Sequence, residues 1–153
     1  QFKRPHNVVN SLYLKPADLE RLVKERFERY ETIKKTEQRA EEYLVDDADI
    51  VVVAYGASSR VARSAVNAAR AEGIKAGLIR PITLWPFPTD ALQRAAQHVK
   101  KFLAVEMSMG QMVDDVRLAI HDQKPVEFYG RTGGMIPTPA EVLGAVKKAG
   151  GVL

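Results

Sequence analysis

The sequence contains no cysteine. A disulfide framework, a thiolate nucleophile and a cysteine-ligated zinc or iron–sulfur centre are therefore excluded within these 153 residues. Histidine is scarce. His6, His98 and His121 form no pair at ligand spacing and no H-E-x-x-H pattern, so no metal site is expected in this chain. No run approaches the roughly 18 consecutive apolar residues that a membrane span requires. The opening Gln1 to Val8 lacks the apolar core of a signal peptide, and a cytoplasmic protein is expected. The first residue is not Met, which fits an excised piece of a longer polypeptide. Charge of one sign is not concentrated either. Residues 1–48 carry ten basic and ten acidic side chains, and residues 49–153 carry thirteen and nine, scattered along the chain. Without a dense basic stripe, a nucleic-acid partner is not expected. A weak attraction to phosphorylated cofactors or acidic protein surfaces fits that pattern at least as well.

What is present is a repeated unit. Ile50-Val51-Val52-Val53-Ala54 is an unbroken apolar run placed before a small polar turn and an alanine-rich helical pattern. Such a run reads as a parallel strand buried on both faces, with a helix opening at its carboxyl end. The order recurs at Ala76 to Arg80 and at Lys101 to Glu106, and Pro125 to Tyr129 reads as a short outer strand. These units predict an α/β fold, a three-layer sandwich with a mostly parallel open sheet. In such sheets, chemistry and binding gather at the carboxyl ends of the strands.

Residues 1–14 read as an irregular segment, with Val8 to Leu14 at best a short edge strand. From Pro16, the residues Leu19, Leu22, Val23, Phe27, Tyr30 and Ile33 recur at helical spacing, with acid–base pairs four residues apart on other faces. Pro16 suits the first turn because its missing N–H would have had no partner there. A helix running to about Tyr43 would be about 40 Å long at 1.5 Å per residue. Residues 15–45 are accordingly expected as a long connector helix and residues 46–153 as the α/β domain. The apolar stripe suits packing within the domain, or a reach toward a partner. Ser58 or Ser59 is expected to cap the helix after the first strand, and Thr89 or Asp90 the next one. A further helix is expected from about Met109 to His121. Thr138, Pro139 and Glu141 form a capping-box signature for the last helix.

Three loops at the expected carboxyl ends carry candidate sites. The turn Tyr55 to Val61 offers helix amides, with Ser58, Ser59 and Arg60 as candidates for a cofactor phosphate, or merely as a capped helix start. Only one glycine stands where a dinucleotide fingerprint needs three, and Arg60 stands where a nucleophile elbow needs glycine. Glu106, directly after a buried strand, suits a structural staple onto the turn Ser108 to Gln111, or hydrogen bonding across an interface with Met107 and Gln111. Gly130-Arg131-Thr132-Gly133-Gly134 pairs close backbone approach with a guanidinium, which suits an interface, a cofactor contact at Arg131, or local structure. The stretch Arg80 to Pro88 holds three prolines and is expected to present Trp85 and Phe87 as an aromatic surface. No residue is assigned a catalytic role.

Val53 to Val66, joined to Gly73 to Pro88 and Phe128 to Pro139, closely resembles the C-terminal transketolase-like domain of the alpha subunit of 2-oxoacid:ferredoxin oxidoreductases, the group acting on 2-oxoglutarate, branched-chain 2-oxoacids or pyruvate. Val105 to Ala119 fits the same pattern, and the resemblance covers about residues 16–149. It implies a five-stranded mixed sheet with one antiparallel edge strand, arising from Glu42 to Val45 or from the N-terminal segment. It also implies a complex that uses thiamine diphosphate, Mg2+, iron–sulfur clusters and coenzyme A and delivers electrons to ferredoxin. In such enzymes thiamine diphosphate lies between a pyrimidine-binding domain, expected upstream in the same subunit, and a pyrophosphate-binding domain on a beta subunit. Neither belongs to this sequence, which also lacks a Gly-Asp-Gly pattern. The resemblance thus implies a non-catalytic assembly domain that binds no cofactor itself, with Arg80, Trp85, Phe87, Glu106, Met107, Gln111, Arg131, Thr132, Gly133 and Gly134 on its contact rim. A stand-alone phosphate- or nucleotide-binding domain and a pure homodimerisation module are the competing readings.

Overall fold

The computed structural model describes residues 10–151, so His6 and the first part of the 1–14 segment lie outside the described residues. The chain divides into two compact units, one ending at Thr36 and the other starting at Glu37. The first contains helix α1 (Pro16–Thr36), which buries none of its side chains. The expected pairs Glu20–Lys24 and Arg21–Glu25 form along it at 2.7 Å each, and Phe27 lies against Tyr30.

The second unit is the α/β domain. Its elements run β1 (Ala40–Tyr43), β2 (Ile50–Val53), α2 (Gly56–Ala71), β3 (Ala76–Pro81), α3 (Thr89–Ala96), β4 (Lys101–Glu106), α4 (Met112–Ala119), β5 (Val126–Gly130) and α5 (Pro139–Gly150). The sheet order is β1-β3-β2-β4-β5. β1 is antiparallel to β3, with Ala40 opposite Pro81, and all other pairings are parallel.

The central strands are mostly apolar because both faces are covered. Val51, Val53, Phe102, Ala104 and Ile79 meet α3 and α4 on one side. Ile50, Val52, Leu103, Val105 and Leu78 meet α2 and α5 on the other. The two-residue alternation of a strand sorts neighbouring residues into these two cores. Alanines on α2 let that helix lie close to the sheet, with Ala62, Ala65 and Ala69 fully buried.

The helix expected over 15–45 stops at Thr36, and Ala40–Tyr43 are a strand instead. Alternation decides it. Glu41 and Tyr43 face α2, where Tyr43 donates to Asn67 at 2.9 Å and takes the Arg63 guanidinium over its ring. Glu42 points the other way and accepts from Arg94 of α3 at 2.6 Å. The extra edge strand thus precedes the Glu42 to Val45 window by two residues.

Several helix starts also differ from expectation. α2 begins at Gly56 with Tyr55 as an N-cap that makes no side-chain cap, so Ser58 and Ser59 lie inside the first turn. α3 is preceded by Pro88, which places Thr89 and Asp90 within the helix. α4 starts at Met112 and ends at Ala119, short of the expected 109–121 at both ends. α5 has the full expected capping box.

Candidate functional site

The topology singles out one place on the sheet. From β2 the chain crosses through α2 to β3 on one side, and from β4 it crosses through α4 to β5 on the other. The carboxyl ends of β2 and β4 are adjacent, so the crevice between them is the topological switch point. It is lined by Tyr55, Gly56, Ala57 and Ser58 from one side and by Glu106, Met107, Ser108 and Gln111 from the other, enclosing about 180 Å³. A larger bay of about 710 Å³ shares Tyr55, Gly56 and Ala57 and extends to Arg60, Arg80, Ile82, Leu84 and Ile136.

On the β2 side, the strand turns into α2 within two residues. Gly56 has φ +56°, a left-handed conformation in which an L side chain is strained, and this allows the abrupt turn. The amides of Gly56, Ala57 and Ser58 make no hydrogen bond among the described residues, while the Ser59 hydroxyl donates to the Gly56 carbonyl at 2.8 Å. No acidic side chain sits in the first turn of α2. Arg60 is exposed and forms no ion pair among the described residues, whereas Arg80 donates to Glu41 at 2.9 Å.

On the β4 side the arrangement is the reverse. Glu106 is only 3% exposed. Its carboxylate accepts from the amides of Gln111, Met112 and Val113 at 3.1, 3.0 and 2.9 Å, and from the Ser108 hydroxyl at 3.0 Å. It therefore neutralises the start of α4, the staple expected from sequence, and the side chain turns inward rather than out to a contact rim. Partial desolvation pushes the exposed Asp115 carboxyl on the same helix up, and the Asp114 and Glu106 charges add to that shift.

The 130–134 loop is occupied similarly. The Arg131 guanidinium pairs with Glu141, whose carboxylate also accepts from the Thr138 amide at 2.8 Å and hydroxyl at 2.9 Å. Those two hydrogen bonds, and then the Arg131 charge, hold the Glu141 carboxyl below its usual value. Arg131 thus has a partner inside the domain, through one nitrogen of its guanidinium. Close approach holds at Gly130, where a Cβ would meet the Ser108 carbonyl oxygen at 2.3 Å. Gly133 and Gly134 have no such neighbour; they and Thr132 are exposed.

The expected aromatic surface separates into two parts. Trp85 is 56% exposed, while Phe87 packs partly buried against the core on the α3/α4 side. Met107 and Gln111 are exposed at the β4 end. Apolar side chains that sequence reasoning passed over complete the rim. Ile82 and Leu84 follow β3, Met109 follows β4, and Met135 and Ile136 follow β5, all exposed. Their signal was apolar residues inside loops otherwise rich in Pro and Gly. His98 contacts the Val45 carbonyl at 3.0 Å, which holds the end of α3 to the turn before β2. Among the described residues no cluster of three or more His, Asp or Glu is arranged to hold a metal. No helix among them is long and apolar enough to cross a membrane.

Similar proteins share this architecture. Ketoisovalerate oxidoreductase subunit VorB of Methanothermobacter thermautotrophicus is 49% identical over 145 residues, covering 95% of this chain and 41% of that protein. 2-Oxoglutarate synthase subunit KorA of Methanothermobacter marburgensis is 44% identical over 101 residues, covering 66% of this chain and 27% of that protein. The chain thus spans well under half the length of these curated relatives. A 2-oxoglutarate:ferredoxin oxidoreductase from Magnetococcus marinus, solved with 2-oxoglutarate, coenzyme A and succinyl-CoA bound, shares the fold at a TM-score of 0.71. That likeness has 24% identity and covers 89% of this chain and 24% of the other. The family described as pyruvate:ferredoxin oxidoreductase core domain II matches residues 48–142, which is most of the α/β unit. With its sheet order, its covered central strands and its switch-point crevice, this chain belongs to that oxidoreductase domain family.

Proposed function

We propose that this chain is the assembly domain of the alpha subunit of a thiamine-diphosphate-dependent 2-oxoacid:ferredoxin oxidoreductase, contributing contact surface rather than reacting groups. The observation that carries this reading is the rim at the carboxyl ends of the sheet. Leu84 at 50%, Trp85 at 56%, Met109 at 83% and Ile136 at 57% exposure project from the ends of three different strands. Large apolar side chains grouped in this way mark protein contacts. Two carboxylates beside the rim loops, Glu106 and Glu141, are spent on helix starts, which argues against either as a proton-transfer group.

In the intact complex the pyrimidine-binding domain would precede this domain in the same subunit, and the beta subunit would carry the pyrophosphate-binding domain. The reaction would be oxidative decarboxylation of a 2-oxoacid to an acyl-coenzyme A, with electrons leaving through iron–sulfur clusters to ferredoxin. Thiamine diphosphate would supply the carbanion for that chemistry from outside this chain. The rim loops, including Arg80, Trp85, Met107, Gln111 and Thr132 to Gly134, would meet those partners.

The reading is tested by co-expressing the chain, joined to its upstream domain, with a tagged beta subunit. Stoichiometric co-purification is expected, and paired Leu84→Asp and Trp85→Ser changes are expected to weaken it at least about tenfold, since truncating a central aromatic anchor commonly costs over 1.4 kcal/mol. Undiminished assembly of that double variant would refute the rim as a contact. Turnover of a 2-oxoacid with coenzyme A and an electron acceptor by the isolated 153-residue chain would refute the non-catalytic role.

A further inference from the structure

We infer that the switch-point crevice receives the carboxylate of an aspartate or glutamate from the docked beta subunit, held by the first amides of α2 and by the Ser58 hydroxyl. This rests on the assembly reading and names the chemistry of one contact within it.

Ser58 is the observation that points into the crevice. It is only 5% exposed, and its hydroxyl makes no hydrogen bond among the described residues. Side-chain polar atoms sealed from solvent all have partners among those residues, so this hydroxyl keeps an open side. Ser58 lines the crevice between the ends of β2 and β4 and is absent from the walls of the larger bay, so the open side gives onto the crevice. On the same wall, the amides of Gly56, Ala57 and Ser58 also lack partners. Tyr55 offers no side-chain cap, and the first turn of α2 holds no acid. Donors left this way forfeit hydrogen bonds that an incoming acceptor restores.

The opposite wall shows what such a donor set takes. There Glu106 accepts from three successive amides at the start of α4 and from one serine hydroxyl, that of Ser108. The α2 wall presents three successive amides and one serine hydroxyl, with no carboxylate among them. The strand register accounts for the difference. Val53 lies beside Ala104 in the parallel pair, and counting on two residues brings Tyr55 level with Glu106. The chain thus supplies an acid to one helix start and a tyrosine to the other, so the second acceptor comes from outside. Four donors match the four lone-pair sites of a carboxylate. Glu106, facing them and already satisfied, favours an anion of single charge over a phosphate dianion. A crevice of about 180 Å³ admits the end of an acidic side chain. Exposed Met107 and Gln111 border it, so it opens onto the contact rim.

The 153-residue chain is to be titrated with sodium acetate, against acetamide and against sodium chloride at matched ionic strength, following the backbone amide resonances of Gly56, Ala57 and Ser58. Saturable shifts are expected with acetate alone. Ser58→Ala should weaken acetate about threefold. Tyr55→Asp puts a carboxylate at the N-cap, where the extended backbone suits a capping side chain, and should abolish acetate binding while raising the unfolding midpoint. Shifts that acetamide or chloride reproduces, or acetate binding unaltered by Tyr55→Asp, would overturn the site. In co-expression with the tagged beta subunit, Tyr55→Asp should weaken co-purification at least about tenfold and the buried Ser58→Ala about threefold. Assembly of both variants as wild type would overturn the beta subunit as the source of the carboxylate. Failure of the wild-type chain to assemble would refute the assembly reading and that source with it, while the acetate titration still decides whether the crevice takes a carboxylate.

Discussion

Glu106 shows how much one carboxylate can organise. It fills three of the amide vacancies at the start of α4 from a position nearly out of solvent. Glu106→Ala should therefore cost about 3 kcal/mol, because buried helix amides lose a charged acceptor. Urea unfolding would measure this, and a loss under 1 kcal/mol would show that water replaces the carboxylate at no penalty. Asp115 supplies the opposite sign. Its carboxyl, on an exposed residue, is pushed up by partial desolvation and by the charges of Asp114 and Glu106, so the folded state holds the proton more tightly than the unfolded chain does. Stability from this group therefore falls as pH rises through the unfolded and then the raised value, and the charged form costs stability at neutrality. Asp115→Asn should raise the unfolding midpoint at pH 7, with the difference closing below about pH 4, where the unfolded carboxyl also protonates. A variant less stable than wild type at pH 7 would reverse that sign. The staple at Glu106 was legible in sequence because an acid directly after a buried strand has the next turn's amides within reach. The commitment of Arg131 to Glu141 was not, because it joins a loop to a helix ten residues on through three-dimensional closure.

Among elements, the strands read most clearly, since Ile50–Val53 and Lys101–Glu106 are buried on two faces and so are nearly uniformly apolar. β1 was harder. Ala40-Glu41-Glu42-Tyr43 shows no polar–apolar alternation, because its glutamates on opposite faces meet arginines of α2 and α3 while Ala40 and Tyr43 pack on the two cores, so a helix-forming composition concealed a strand. Helix starts were misplaced by one to four residues for a related reason, as at α2, where backbone dihedrals at Tyr55 and Gly56 set the boundary and the serines that follow cap nothing. The contact between β5 and the turn after β4 depends on the absence of a side chain at Gly130. Gly130→Ala should destabilise the domain by about 2 kcal/mol, as overpacking against backbone does, and amide exchange should rise first in 106–111 and 126–134. Unchanged exchange in those segments would mean that the two loops part without penalty.

At the scale of the molecule, both hydrophobic cores are drawn from residues 40 onward. A chain comprising residues 37–153 should consequently fold alone, with a cooperative denaturant transition and a midpoint within experimental error of the 153-residue chain. Loss of the cooperative transition on removing residues 1–36 would show that the first unit completes the second. The antiparallel first strand has a topological consequence of its own. Because Ala40 lies opposite Pro81, and Ile82 donates to the Arg39 carbonyl, the polypeptide enters the sheet beside the ends of its neighbours, not at their beginnings. Whatever is fused ahead of residue 37 is thereby leashed to the same edge that holds the crevice. Any encounter of such a segment with that edge would be intramolecular, governed by linker length instead of by concentration in solution.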